Sequence, residues 1–495
     1  MPDHWTVILP AAAMGLSACL VLLLAAFTKN ARILSIVSLL LTVLVGGGAV
    51  VHLWMNGGVE VPNSADHPFG MITADPLALF FGALTVLVTA LVILLGPSYF
   101  ERKSLHRPEF YGLLMISATG MIVLASATHL VTFYLGLETM SIAFYVLAGS
   151  LRTVENALEA SLKYFLLGAF SSAFLLFGMA LLYGSCGYLD YVGLASSLGQ
   201  GVYHFGEPMA LTGFFLFLVG IFFKLSLIPF HFWAPDVYQG APTPVTAFMA
   251  VGGKAAAMVG AIRIFFMVFS QSPVLSDKWF AAFAGVGLVT VFVGAMIALT
   301  QRHIKRLLAY SSIVHAGFIA LGLSALAVSK DLATAMMPAL LFYITAYLFM
   351  NVGAFTVAAS MEQTDATDER LRTFSGLGVS SPLLASLFSL IMFSLAGIPL
   401  TVGFLGKFYV FKALVEGKVY WLAVAGFVAA VIATYYYLKV VVTLWFPPAG
   451  EEIAEAPHLC PATWAVLVLV SFPVLVLGVF PNLVNVLIAT VNLPG

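Results

Sequence analysis

Apolar residues recur along the chain in runs long enough to cross a bilayer, separated by short polar breaks. Fourteen runs can be drawn, near 5–27, 31–54, 77–98, 110–128, 130–150, 160–184, 209–231 and 244–270, then near 279–300, 305–327, 332–360, 380–414, 420–446 and 462–488. No soluble domain interrupts the series. The longest connections, about 55–76, 185–208 and 447–461, carry Gly, Pro and acidic residues and read as surface loops. The expected fold is an all-α polytopic membrane protein with about 14 transmembrane helices.

Two runs carry internal interruptions. The stretch Ile221–Lys254 holds Lys224, Pro229, Pro235, Pro242, Pro244 and Lys254. Proline removes a backbone donor, so a helix break is expected near Pro229. In lipid, a broken helix persists only where its backbone is buried in protein or lines a wet cavity. The pattern LxxIP of Leu225–Pro229 returns at Leu395–Pro399, in the twelfth run, again with a lysine near, Lys407. Five helices separate the copies. Five is odd, so the two interruptions run in opposite directions across the membrane. Paired broken helices in inverted halves are the sequence pointer to a transporter's ion site. Two unrelated proline kinks remain the plainer reading of so short a match.

Composition narrows the class. Of 495 residues, 61% are hydrophobic and 9% charged, against about 25% charged in an average soluble domain. A net charge of −1 argues against a nucleic-acid partner. Cys19, Cys186 and Cys460 are far apart, form no CxxC pair and supply no disulfide framework, zinc site or iron–sulfur motif. The first run lacks a basic flank and reads as a permanent span rather than a cleaved signal. Lysine and arginine are unequally shared between the two sides. Lys29, Arg32, Arg102, Lys103, Arg107, Arg152, Arg302, Lys305, Arg306, Arg370 and Arg372 fall on one side; Lys278, Lys330, Lys412 and Lys418 fall on the other. The richer side is the cytoplasm or its equivalent, and both termini lie opposite. Lys305 and Arg306, at a helix start, also read as anchors that snorkel to the interface.

Charges inside the runs carry the chemistry. Glu138 is the one acidic residue in the middle of a span, while Lys163, Lys224, Lys254, Arg263, Lys407 and Lys439 lie in or near spans. A lysine in hydrocarbon costs about 2.5–3.5 kcal/mol on insertion scales. Polar contacts in membranes return on average less than about 1 kcal/mol, so a set of structural ion pairs is the weaker account. Glu138 is expected to face Lys224. When that pair opens, the lysine can pass its proton onward, to Lys254 and in the second half to Lys407; arginine would keep it. His315 reads either as a relay between the halves or as a buried neutral histidine tying two helices together. His231 and Asp236 flank the break and belong to a path or cap a loop. Lys163 belongs to the path or snorkels, and Lys439, beside Tyr435, Tyr436 and Tyr437, is an anchor or an exit site. Arg263 is a pathway member or a sign that the eighth span ends early.

These residues sit in recognisable company. PFHFWAPDVYQGAPTPVTAF (229–248) followed by Lys254, KRLLAYSSIVHAGF (305–318), ALEASLKYFLLGAFSSAFLLFG (157–178) and SLAGIPLTVGFLGKF (394–408) resemble the antiporter-like membrane subunits of NADH–quinone oxidoreductase, respiratory complex I. Within that family the chain is most similar to the subunit N branch: it has 14 spans, no long lateral helix, and lysine at Lys407 where the subunit M type usually has glutamate. The resemblance implies a three-helix segment (1–108), a first repeat of helices 4–8 (109–271), an inverted second repeat of helices 9–13 (272–447) and a final loop and helix (448–495), with helices 7 and 12 broken. It implies proton translocation driven by quinone reduction elsewhere in the complex. Glu138 and Lys224 would be the coupled pair, Lys254 a central lysine and Lys407 the exit-side lysine, with His315 and Lys163 at family positions of less defined role. Partners would be other membrane subunits, related antiporter-like ones among them, in a bacterial inner membrane. No GxGxxG follows a strand and no cysteine cluster is present. NADH, FMN, iron–sulfur clusters and quinone are therefore expected in other chains, with no cofactor or metal in this one. Two other readings stay open: a subunit of a multi-subunit cation/proton antiporter, and a structural scaffold.

Overall fold

Where the chain offers about twenty apolar residues, it forms one continuous helix, because hydrocarbon supplies no partner for a free N–H or C=O. The computed structural model describes residues 4–28, 30–59, 70–152, 154–362, 371–448 and 453–491. Among these, 13 helices are long and apolar enough to cross a membrane, from His4–Phe27 to Pro461–Val479. The run expected at 380–414 is two shorter helices, Pro382–Ala396 and Val402–Glu416. No strand occurs among the described residues. Lys29 and Arg370 lie outside them, as does part of the connections near 55–76 and 447–461. The connection 185–208, expected to be a surface loop, contains the helix Tyr191–Gln200. Its start is capped by Asp190, which accepts from the Gly193 N–H at 2.7 Å, and Tyr191, Leu194 and Leu198 are buried.

Both interruptions are present, and each begins at a left-handed residue. The helix Glu207–Leu225 ends at Ser226 (φ 60°), three residues ahead of Pro229, and the chain re-forms a helix at Trp233–Gly240. Pro382–Ala396 ends at Gly397 (φ 91°), and the chain resumes at Val402. The freed carbonyls find donors. Trp233 Nε1 donates to the Phe223 carbonyl at 3.0 Å in the first break. In the second, Lys407 Nζ donates to the Leu395 and Ala396 carbonyls at 2.7 and 2.9 Å. These bonds are what allow a helix to stop inside an apolar run.

Close helix contact is built on glycine. A Cβ added at Gly120 would lie 2.4 Å from the Met140 nitrogen, and one at Gly136 would lie 2.6 Å from the Leu124 nitrogen. Backbones this close need small residues. Gly136→Val is therefore expected to push the helix Leu130–Ala148, which carries Glu138, off its neighbour. The readout is a loss of assembled protein in membranes, seen on native gels.

Ion pairs fix the remaining geometry. Arg263, 1% exposed, grips Asp75 with two bonds of 2.7 Å and donates to the Ala125 carbonyl at 2.9 Å. Its helix runs on to Met267. Arg263 thus neither ends its span early nor joins the amines described below; it ties residue 75 to the eighth span. At the basic end, Glu362 accepts from Lys103 (2.9 Å), Thr243 (2.6 Å) and Tyr99 (3.0 Å). Arg102 closes the neighbouring helix end through the Ser360 and Ala359 carbonyls at 2.5 and 2.6 Å. Lys305, expected to snorkel, is buried and donates to the Ala241 carbonyl at 3.0 Å, because the helix Trp233–Gly240, which Ala241 ends, packs against the helix that Lys305 begins. Arg306 is partly exposed and is held by Asp236 (2.7 Å) and Gln239 (3.1 Å).

Candidate functional site

Three helices and the two breaks bring the buried amines into the interior. Lys224 sits in the last turn before the first break, Lys254 directly after a π-helical turn (Met249–Gly253), and Lys407 one turn into the helix after the second break. π-turns and broken helices recur at functional sites because they loosen the regular hydrogen-bond ladder. All three lysines and His315 are buried. Each amine also lies over an aromatic face: Lys224 over Tyr145 (5.7 Å) and Phe223 (5.6 Å), Lys254 over Tyr238 (5.4 Å), Lys407 over Phe318 (5.7 Å). Ring faces attract a cation where water is scarce.

The expected contact between Glu138 and Lys224 is not formed. Lys224 Nζ donates to the Ser141 hydroxyl at 2.7 Å and to the Tyr145 hydroxyl at 3.4 Å. The Glu138 carboxylate instead accepts from the Ser172 hydroxyl. Glu138 and Ser141 are three residues apart on one helix, so they are neighbours on its surface. The acid and the amine are thus one helical turn from meeting, each held by a serine.

Lys254 donates to the Tyr238 hydroxyl at 3.1 Å. Beyond it lies a cluster of hydroxyls around His315. Its Nδ1 is 2.6 Å from the Tyr343 hydroxyl and its Nε2 is 3.2 Å from that of Tyr437, which also meets Ser311 at 2.5 Å. Tyr347 donates to Ser312 at 2.8 Å, and its ring lies 5.0 Å from His315. Both imidazole nitrogens thus have a phenol partner. A neutral ring has one donor and one acceptor nitrogen, so the two phenols meet it in opposite senses. His315 therefore binds helices together and also lies between the Lys254 and Lys407 regions.

The outlying candidates separate. Lys163 pairs with Asp236 (2.8 Å) and Glu159 (2.7 Å), and Asp236 in turn holds Arg306. This network joins the helix after the first break to both halves of the chain. His231 is buried in the break, but its Nδ1 has no partner and it bonds none of the lysines among the described residues. Lys439 donates to the Gln301 carbonyl at 3.4 Å. Of the three tyrosines near it, Tyr436 and Tyr437 are buried and Tyr435 is exposed. Among the described residues no group of three His, Cys, Asp or Glu side chains is placed to hold a metal ion.

Sequence reasoning missed the groups that bond the charges: Ser141, Ser172, Tyr145, Tyr238, Tyr343 and Tyr437. Their signal was present. Three of the six lie within about a turn of a charged candidate along the chain, counting Ser141 after Glu138, Tyr238 after Asp236 and Tyr437 before Lys439, and Tyr145 lies two turns after Glu138.

Comparison with known proteins places this arrangement. Residues 127–433 match the family model described as "NADH:quinone oxidoreductase/Mrp antiporter, TM". The chain is 40% identical over 442 residues to the NADH-quinone oxidoreductase subunit N of Trichlorobacter lovleyi, covering 89% of this chain and 87% of the relative. A chain of respiratory complex I from Thermus thermophilus, solved with bound aureothin, superposes with a TM-score of 0.79 at 32% identity, over 98% of this chain and 100% of that one. A chain of the Mrp complex from Dietzia sp. DQ12-45-1b shares the fold, with a TM-score of 0.82 at 20% identity and 98% coverage of both.

Proposed function

Because the chain belongs to the NADH-quinone oxidoreductase subunit N family, we propose that it is the proton-translocating membrane subunit of a quinone-reducing NADH dehydrogenase complex. One observation carries the reading: Lys224, Lys254 and Lys407 are buried in a membrane protein without a carboxylate bonded to any of them. Structural charges in such a protein are paired, as Arg263 and Asp75 are. Amines that meet only hydroxyls and carbonyls can lose and regain a proton without leaving a buried partner charge behind.

Glu138 and Lys224 form the switch, Lys254 receives the proton centrally, His315 links the halves and Lys407 serves the exit side. Lys163 acts through Asp236, outside this line. The repeats are 109–271 and 272–447, inverted about the membrane plane, between a three-helix segment (1–108) and a last helix (448–495). The two breaks with left-handed caps support that division. The chain itself carries out no redox step. NADH, FMN, the iron–sulfur clusters and quinone belong to other chains, and neighbouring membrane subunits hold this one in a bacterial inner membrane with both termini on the non-cytoplasmic side.

The test is NADH-driven acidification of vesicles containing the intact complex. Glu138→Gln is expected to reduce it several-fold with the complex still assembled. The fold shared with an Mrp complex favours one rival, a cation/proton antiporter subunit. Sodium-stimulated proton movement without electron transfer would establish that rival. Unchanged pumping in assembled Glu138→Gln would leave only a scaffold role.

A further inference from the structure

We infer that Ser141 and Ser172 are the resting partners that hold Lys224 and Glu138 apart, and that the switch exchanges these two bonds for a direct Glu138–Lys224 ion pair. The inference rests on the reading of Glu138 and Lys224 as the switch. Its ground is the matched chemistry of the two serines. Ser141 donates its own proton to the Leu137 carbonyl at 2.5 Å, one turn back on its helix. That bond leaves only oxygen lone pairs facing Lys224, whose ammonium donates to them at 2.7 Å. Ser172 is used the other way round. It lies on the neighbouring helix Glu155–Cys186 and gives its proton to the Glu138 carboxylate. One serine thus offers an acceptor to the cation and the other a donor to the anion.

The separation is short enough to reverse. Glu138 lies one turn before Ser141 on the same helix face. Lys224 has four rotatable side-chain bonds and can swing that distance with its backbone fixed. Tyr145 supports the resting position from the far side: it accepts from Lys224 at 3.4 Å, and its ring sits where Gly168 leaves room. A Cβ at Gly168 would lie 2.1 Å from the Tyr145 oxygen. No bond breaks or forms covalently in this exchange. One ammonium and one carboxylate trade hydroxyl partners for each other. Ser141 and Ser172 are positioning residues, since they act through the charged pair.

The experiment compares Ser141→Ala, Ser172→Ala, Ser141→Thr and Ser172→Thr in the intact complex. The quantities are NADH-driven pumping as a function of pH and the amount of assembled complex. A hydrogen bond to a charged group is worth enough to shift a two-state balance about tenfold or more. Each alanine variant should lower pumping at neutral pH several-fold and move the maximum to higher pH, because proton release must then break a direct ion pair. Each threonine variant keeps the hydroxyl and should keep the wild-type profile. A purely structural serine would lower assembly without moving the pH maximum. Alanine variants with wild-type pumping and pH profile overturn the inference, and so do threonine variants that fail alongside alanine. Lys224→Arg is measured in parallel. If it is impaired while the alanine variants are normal, the switch stands and the serine roles fall. If Lys224→Arg is normal too, the function proposed above falls first.

Discussion

Lys224→Arg in the assembled complex should lower quinone reduction and pumping together, by about a hundredfold, the low end for removing a working acid–base group. Arginine keeps the positive charge and could still bond Ser141. What it lacks is the capacity to give up its proton. The substitution therefore separates charge from proton transfer, which Lys224→Ala does not. Alanine should be at least as damaging, since it also leaves Ser141 and Tyr145 without the donor they accept from. Both rates fall because a stalled ion step holds back the chemistry coupled to it. The check is NADH:quinone reductase turnover in membranes with matched amounts of complex. A turnover loss confined to alanine would assign Lys224 a structural charge.

Arg263→Ala should have the largest effect on stability. The guanidinium is buried and makes two bonds to one carboxylate. Removing one partner of a buried pair costs about 3–5 kcal/mol, because the other charge is left unpaired. Failure to accumulate in the membrane is the expected phenotype, read by immunoblot. Asp75→Asn should be milder, since an amide still accepts from Arg263. Its pH dependence gives a second reading. Asp75 lies just ahead of its spanning helix. Burial would lift its carboxyl, but the charge and hydrogen bonds of Arg263, with the Ala78 N–H, hold it below the usual carboxylate range. A group depressed in the folded state contributes stability that is complete above its unfolded value, about 3.9, and is lost as pH falls through the folded value. Thermal stability of the wild-type complex should thus drop on acidification below about pH 4, and that drop should be smaller in Asp75→Asn.

What the sequence disclosed follows from what is costly in lipid. A charge or a proline inside an apolar run stands out because each carries a penalty there. Lys224, Lys254, Lys407, Glu138 and the interrupted seventh and twelfth runs were legible for that reason. The partners were not. Asp75 lies 188 residues from Arg263, and its position in a loop gives no sign of burial. Ser141 and Ser172 look like any small residue in a packed membrane helix, and Tyr238, Tyr343 and Tyr437 like any aromatic. Serine bonds back to its own helix as readily as to a neighbour, so only three-dimensional placement tells which use it has. The same limit explains Lys305 and Arg306. A lysine and an arginine at a helix start predict snorkelling, and only the fold shows the Ala241 carbonyl and Asp236 within reach.

The claim beneath all of this is that protons cross through amines the fold keeps away from permanent counter-charges. The ratio of protons moved to electrons transferred, measured in vesicles holding assembled Lys224→Arg complex, tests it most directly. A ratio clearly below wild type is predicted, since any turnover that slips past a blocked amine carries fewer protons. A wild-type ratio in that variant would contradict the account.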